Sequence, residues 1–228
     1  GKHFQQYSGV IAESKYWLNE QEARIALLGK KDDLGQCLDY ERYRLAFRDV
    51  AAATNERCMI ATILPRRVFC PHTVSLEDVA TSGLDANKRL FLLAVFNSFV
   101  FDYAVRQKVT SHVSFFFVYA TPVPRLTEKD AAFRPIVDRA TRLICTTPEF
   151  DGLAKQIFGG RASSRGVGAT DPVERGKLRA ELDGLIAHLY GLTEEEFAHI
   201  LTTFPLVPDP VKDAARNAFR DVERGLIQ

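Results

Sequence analysis

The longest apolar run in the chain, Leu90 to Val105, carries three polar residues: Asn97, Ser98 and Asp102. A helix needs about 20 apolar residues to cross a bilayer, so this run is too short and too interrupted to do so. It predicts a buried helix instead. Leu90, Leu93, Ala94, Phe96, Val100, Phe101 and Ala104 give apolar coverage around most of its circumference, over a predicted helix from Ala86 to Lys108. Everything else in the chain has to pack around that element. Polar groups inside it must find partners, so Asn97 and Ser98 are expected to bond backbone or a neighbouring strand and to serve the fold.

Before the run, the pattern is mixed. Ser14 to Leu28 predicts a short strand or turn, then a helix ended near Gly29. Tyr43 to Val50 alternates as a strand does, and Met59 to Leu64 and Val68 to Val74 are β-branched runs broken by Pro65 and Pro71. After it, His112 to Tyr119 has strand character and ends at Pro122 and Pro124. The three consecutive phenylalanines, Phe115 to Phe117, are expected in the core; the alternative is a stacking surface for an extruded base. From Thr127 onward the pattern is helical. Asp171-Pro172 with Glu174, Thr193 with Glu196, and Asp209-Pro210 are helix starts. The Gly- and Ser-rich stretch Gly159 to Thr170 reads as a linker. The predicted fold is α+β: a small mixed sheet with a long central helix in residues 1–126, and a helical C-terminal tail in residues 127–228 with a linker near 159–170.

Six Lys/Arg and two Asp/Glu lie between Arg42 and Arg67, a local positive excess in a chain of net charge +1. Residues 1–125 hold 16 basic and 13 acidic residues, so the first part is the better candidate for a polyanion surface. Arginines presented by strands suit phosphates or guanine edges. The plain alternatives are a solvated strand face, an Arg48-Asp49 ion pair, and an Asx turn at Thr54-Asn55. No zinc pattern is formed by Cys58, Cys70 and His72, and the glycines of 159–168 lack the lysine of a phosphate-binding loop.

Arg48 to Arg57, R-D-V-A-A-A-T-N-E-R, followed by Ile63-Leu64-Pro65, resembles a signature of the C-terminal target recognition region of type II (type IIG-like) adenine-specific DNA methyltransferases, the large restriction–modification and phage-defence methylases. Three further stretches resemble that region in order: Gly1 to Tyr7, Leu93 to Val109 with Asn97-Ser98 and Asp102-Tyr103, and Phe115 to Pro124 with its Pro-x-Pro exit. The likeness covers roughly residues 1–126, and the tail more loosely.

The resemblance implies a DNA-binding lobe that closes on duplex DNA opposite a catalytic lobe. Arg48, Asn55 and Arg57 are its first candidates for DNA contact, with Lys2, Arg66, Arg67, Arg106 and Lys108 as phosphate-binding candidates. The family's Asn/Asp-Pro-Pro-Tyr/Phe motif does not occur in the sequence, nor does a glycine-rich loop for S-adenosylmethionine. The chain alone is therefore expected to bind no cofactor and transfer no methyl group; S-adenosylmethionine belongs to the parent enzyme. The chain opens on Gly1 and its one methionine is Met59, which reads as a piece of a longer protein. Without a signal peptide, and with four cysteines in no paired spacing, a cytoplasmic setting is expected. A second reading is a protein-interaction or scaffolding module of a phage-defence complex, suggested by the acidic, well-capped helices after Asp171.

Overall fold

The computed structural model describes residues 5–8 and 17–228. Helix α1 (Glu20–Leu28) opens under Asn19, whose side chain accepts from the amides of Gln21 and Glu22, and closes at Gly29 with φ 61°. Three strands follow: β1 (Arg44–Arg48), β2 (Ala61–Leu64) and β3 (Val74–Leu76). Both pairings are antiparallel, in the order β2-β1-β3, with Arg44 opposite Leu64 and Arg48 opposite Val74. Leu45 and Phe47 face the main core, while Ala46 packs with Leu64 and Val74 on the opposite face. The strand expected over Val68 to Val74 is reduced to β3, because Pro71 has no amide to donate to a ladder.

After the short α2 (Val79–Ser82), the predicted long helix is present but broken in two, α3 (Ala86–Asn97) and α4 (Phe99–Arg106). Ser98 adopts an extended conformation, φ −71° and ψ 154°, and caps α4 by accepting from the Phe101 amide. The polar interruption seen in the sequence is the corner itself. Asn97 donates to and accepts from the backbone of Ala61 at 3.0 and 2.9 Å, which ties α3 to β2. The amide of Phe99, freed at the start of α4, donates to Asp183 at 2.9 Å.

The strand expected over His112 to Tyr119 shrinks to a single bridge, Val50 to His112, followed by a one-turn helix α5 (Phe115–Tyr119). On a strand, three consecutive phenylalanines would alternate between its two faces and could not all enter the core. On the helical turn Val118 is buried and Phe117 packs on the core, while Phe116 and Tyr119 are 75 % and 81 % exposed. The expectation that all three phenylalanines lie in the core is thereby corrected.

The tail consists of α6 (Phe133–Ile144), α7 (Asp151–Phe158), α8 (Ser164–Val167), α9 (Pro172–Leu189), α10 (Glu194–Thr202) and α11 (Asp209–Glu223). Residues from both parts of the chain, from Tyr7 to Ile186, share one apolar core. The expected linker is folded. Asp151 accepts from both the amide and the hydroxyl of buried Ser164 at 2.7 Å. Gly168 runs so close to the carbonyl of Cys145 that a Cβ would lie 2.0 Å from its oxygen. At α9, Gly184 lets α11 approach, since a Cβ there would meet the Phe219 amide at 2.7 Å. Among the described residues no helix is long and apolar enough to cross a membrane.

Candidate nucleic-acid interface

The family-like string forms the connection from β1 to β2, residues 49–60. Its first half is sewn to the segment before α5: the Ala51 amide donates to the Ser111 carbonyl at 3.2 Å, and the Val113 amide to the Asp49 carbonyl at 2.7 Å. A turn follows, with the Asn55 amide on the Ala52 carbonyl at 3.0 Å. Its second half is organised by one carboxylate. Asp102 of α4 is fully buried and accepts from the amides of Cys58 and Met59 at 3.0 and 3.2 Å, from Arg57 Nε at 3.0 Å and from Arg106 Nε at 3.1 Å. Arg106 also donates to the carbonyls of Asn55, Glu56 and Thr203. Arg57 donates to the carbonyl of Asn97. The two guanidiniums lie 4.1 Å and 3.9 Å from the ring centres of Phe99 and Phe204.

Arg57 and Arg106 are thus turned into the protein. Their side chains are 11 % and 6 % exposed, with their charge set against Asp102. As DNA contacts they are withdrawn, because reaching a phosphate would strand a buried carboxylate. They brace the loop instead. Arg48 has the opposite fate. It ends β1 half-buried; among the described residues its enclosed Nε has no hydrogen-bond partner and its guanidinium pairs with no carboxylate. The Arg48-Asp49 ion pair considered from sequence does not form; Asp49 pairs with His112 Nδ1 at 2.8 Å. Asn55 makes its turn through the backbone amide, and its side-chain amide, half-exposed at the tip, has no partner among the described residues. Lys108 is exposed and donates to the carbonyl of Ala120 at 3.2 Å and to Thr121 at 3.4 Å.

Arg66 and Arg67 lie elsewhere. The register puts residues after Leu64 beyond the Arg44 end of the hairpin, roughly 13 Å along β1 from Arg48. Both are exposed; Arg66 sits over the ring of Tyr43 at 5.0 Å and Arg67 pairs with Glu20 at 3.6 Å. Lys2 lies outside the described residues. One concave surface joining Arg48, Asn55 and Arg57 with Lys2 or Arg106 is therefore not formed. Arg48 and Asn55 lie toward one end of the hairpin and Arg66 and Arg67 toward the other, while Lys108 is directed to the end of α5. His112, with its Nε2 directed away from Asp49 and its side chain 58 % exposed, joins the first group. Its position after Lys108 in a loop was the only sequence signal for it.

Behind the loop lies a small polar cavity of 130 Å³, bordered by Tyr7, Arg57, Arg179 and Asp183. Burial pushes the Asp183 carboxyl up to about 6, against the opposing pull of Arg57, the Phe99 amide and Arg179. A raised acid is stabilising in its protonated form. Its contribution is fully present below the unfolded value near 4 and is lost as pH rises through about 6. Asp183→Asn removes this proton uptake. Wild type is expected to gain about 2–3 kcal/mol on the variant between about pH 7.5 and about pH 4. Urea unfolding at several pH values measures it; parallel profiles for the two proteins would refute the assignment.

Comparison with family models, with curated proteins and with solved structures gives no match for the chain.

Proposed function

We propose that this chain is the DNA target recognition region of an adenine-specific DNA methyltransferase or fused restriction–modification enzyme. In that reading it positions duplex DNA for a catalytic lobe that carries the S-adenosylmethionine site and receives the flipped adenine. A cytoplasmic setting goes with it. The observation that carries the proposal is the loop 49–60. A buried carboxylate and two arginines hold its backbone; Asn55 at its tip and Arg48 of β1 at its start have side chains without a polar partner among the described residues. A loop built to read base edges needs that rigidity, since a bidentate contact discriminates only when both partners are fixed. The four ordered stretches that resemble the methyltransferase family support the same reading.

Binding of the chain to labelled duplex DNA, titrated against salt, tests it. Arg48→Ala is expected to lower affinity and reduce the slope of log K against log salt by about 1. Asn55→Ala is expected to leave the slope unchanged and to cost about 1–3 kcal/mol of discrimination at one base pair. Salt-independent binding, or slopes and sequence preference untouched by both variants, would sink the proposal.

A further inference from the structure

Between α3 and the segment 118–126 runs an apolar cleft of 620 Å³, and beyond Tyr119 it adjoins a second of 520 Å³ that reaches to β1. Leu84, Leu92, Phe96, Val118 and Tyr119 line both, so the two form one trough with Tyr119 between them. The first cleft falls within the roughly 300–1,000 Å³ of small-ligand sites. Its walls are aromatic and proline-rich: Phe91, Phe96, Tyr119, Pro122 and Phe133. The wall is fixed, with Tyr190 donating to the Pro122 carbonyl at 2.8 Å and Lys108 to the Ala120 carbonyl at 3.2 Å. Tyr119 is held upright by Phe115, whose ring stacks on it at 5.7 Å and 24°. It stays 81 % exposed.

Among the described residues, the charged groups lining the first cleft are Lys88 and Arg125. The second cleft carries Glu77 and Asp78, and Glu77 is held by Arg89 at 2.6 Å, so the cationic part of the trough is the first cleft. Lys88 meets Asp85 at 3.2 Å in an exposed pair that contributes little, and Arg125 makes no ion pair among the described residues. An exposed aromatic ring, Tyr119, beside an apolar cleft with a cationic rim matches one chemistry best: a planar base carrying a phosphate. The segment after α4 ties the cleft wall to the candidate interface: Lys108 bonds the Ala120 carbonyl at the end of α5, and His112, four residues on, bridges to Val50.

We infer that the first cleft of this trough binds an unstacked nucleotide of a DNA strand, with the base against Tyr119 and its phosphates at Lys88 and Arg125. The inference rests on the nucleic-acid reading above and deepens it. Duplex is held by the loop end of the hairpin, and a displaced base other than the adenine that enters the catalytic lobe is received beside α5. Stacking on aromatic rings tolerates any base, so the site carries no sequence preference of its own.

The test compares a short labelled strand of mixed sequence, alone and annealed to its complement, on the 228-residue chain by fluorescence anisotropy. Tyr119→Ala is expected to weaken the single strand about tenfold or more and to leave the duplex unchanged. Replacing Lys88 and Arg125 together by Ala is expected to lower the single-strand salt slope by about 1.4. These side chains are exposed, so folding is not at risk; circular dichroism verifies it. A single-strand affinity indifferent to Tyr119 overturns the inference. So does a self-association, seen by light scattering, that Tyr119→Ala abolishes while strand affinity stays. If duplex binding depends on Arg48 while strand binding ignores Tyr119, only this inference fails. If the chain binds neither DNA, the proposed function fails with it.

Discussion

Asp102→Asn is expected to destabilise the protein by about 3–5 kcal/mol, with a cost nearly independent of salt. The carboxylate is fully buried and receives two guanidinium Nε groups and two backbone amides between 3.0 and 3.2 Å. Asparagine keeps one acceptor oxygen and turns an NH₂ toward donors, so at least one N–H loses its partner and faces another donor. Arg57 and Arg106 are then buried without a counter-charge, which is the expensive part. The aromatic faces of Phe99 and Phe204 retain some of their attraction, which keeps the expected loss below that of a bare buried cation. Urea denaturation at low and at high salt measures this. A loss below about 1 kcal/mol, or one that disappears in salt, would place the cluster in solvent-like surroundings. The same substitution is expected to weaken duplex binding in the protein that remains folded, because Asn55 and Glu56 are positioned by Arg106 and the backbone of Cys58 by Asp102 itself.

Arg48 and Arg57 show what in this chain was legible from sequence. They bound the same ten-residue string, and their side-chain chemistry is identical. One ends half-buried with no carboxylate, and the other is locked on Asp102. Nothing local separates them, because the deciding partner lies 45 residues away on α4. The helix starts were legible because their cause is local. Asp171 caps the amide of Glu174 at 2.8 Å, and Thr193 and Glu196 cap one another. Asn97 and Ser98 were legible as fold residues for a different reason: polar groups in an apolar run have few ways to be satisfied. That they break the helix into two was not legible, since it depends on Asp183 arriving from α9 to accept from Phe99. The glycines of 159–170 misled because the same residue that loosens a linker also permits close packing. At Gly168 the second use applies, and it shows only once Cys145 is in place. Phe115 to Phe117 misled through composition: three consecutive phenylalanines suggest a core, yet a one-turn helix can bury only part of its circumference.

Phe101→Ala is expected to cost about 3–5 kcal/mol, through lost burial and the cavity that remains. The ring is fully buried and stacks on Phe96 at 4.8 Å and 26°, and Phe96 in turn meets Phe47 of β1 edge-on at 6.5 Å. These three rings join the sheet to both halves of the broken helix. Relaxation into the gap is restricted, because Phe101 follows the Ser98 corner, which Asn97 and Asp183 hold from two sides. For a chain of this size each kcal/mol lowers the melting temperature by about 2–4 °C, so a fall on the order of 10 °C is expected. Phe101→Leu should recover part of it. Tyr119→Ala, an exposed aromatic in the same molecule, should stay within about 0.5 kcal/mol of wild type. A melting temperature for Phe101→Ala close to that of Tyr119→Ala would mean that α4 is not anchored in the core. Phe101 and Asp102 are adjacent on α4, one fixing it to the apolar core and the other fixing the loop to it. Their substitutions are therefore expected to be non-additive. Once Phe101→Ala has loosened α4, Asp102 holds the loop to a helix that can already shift. The double variant should then lose less than the two single losses combined.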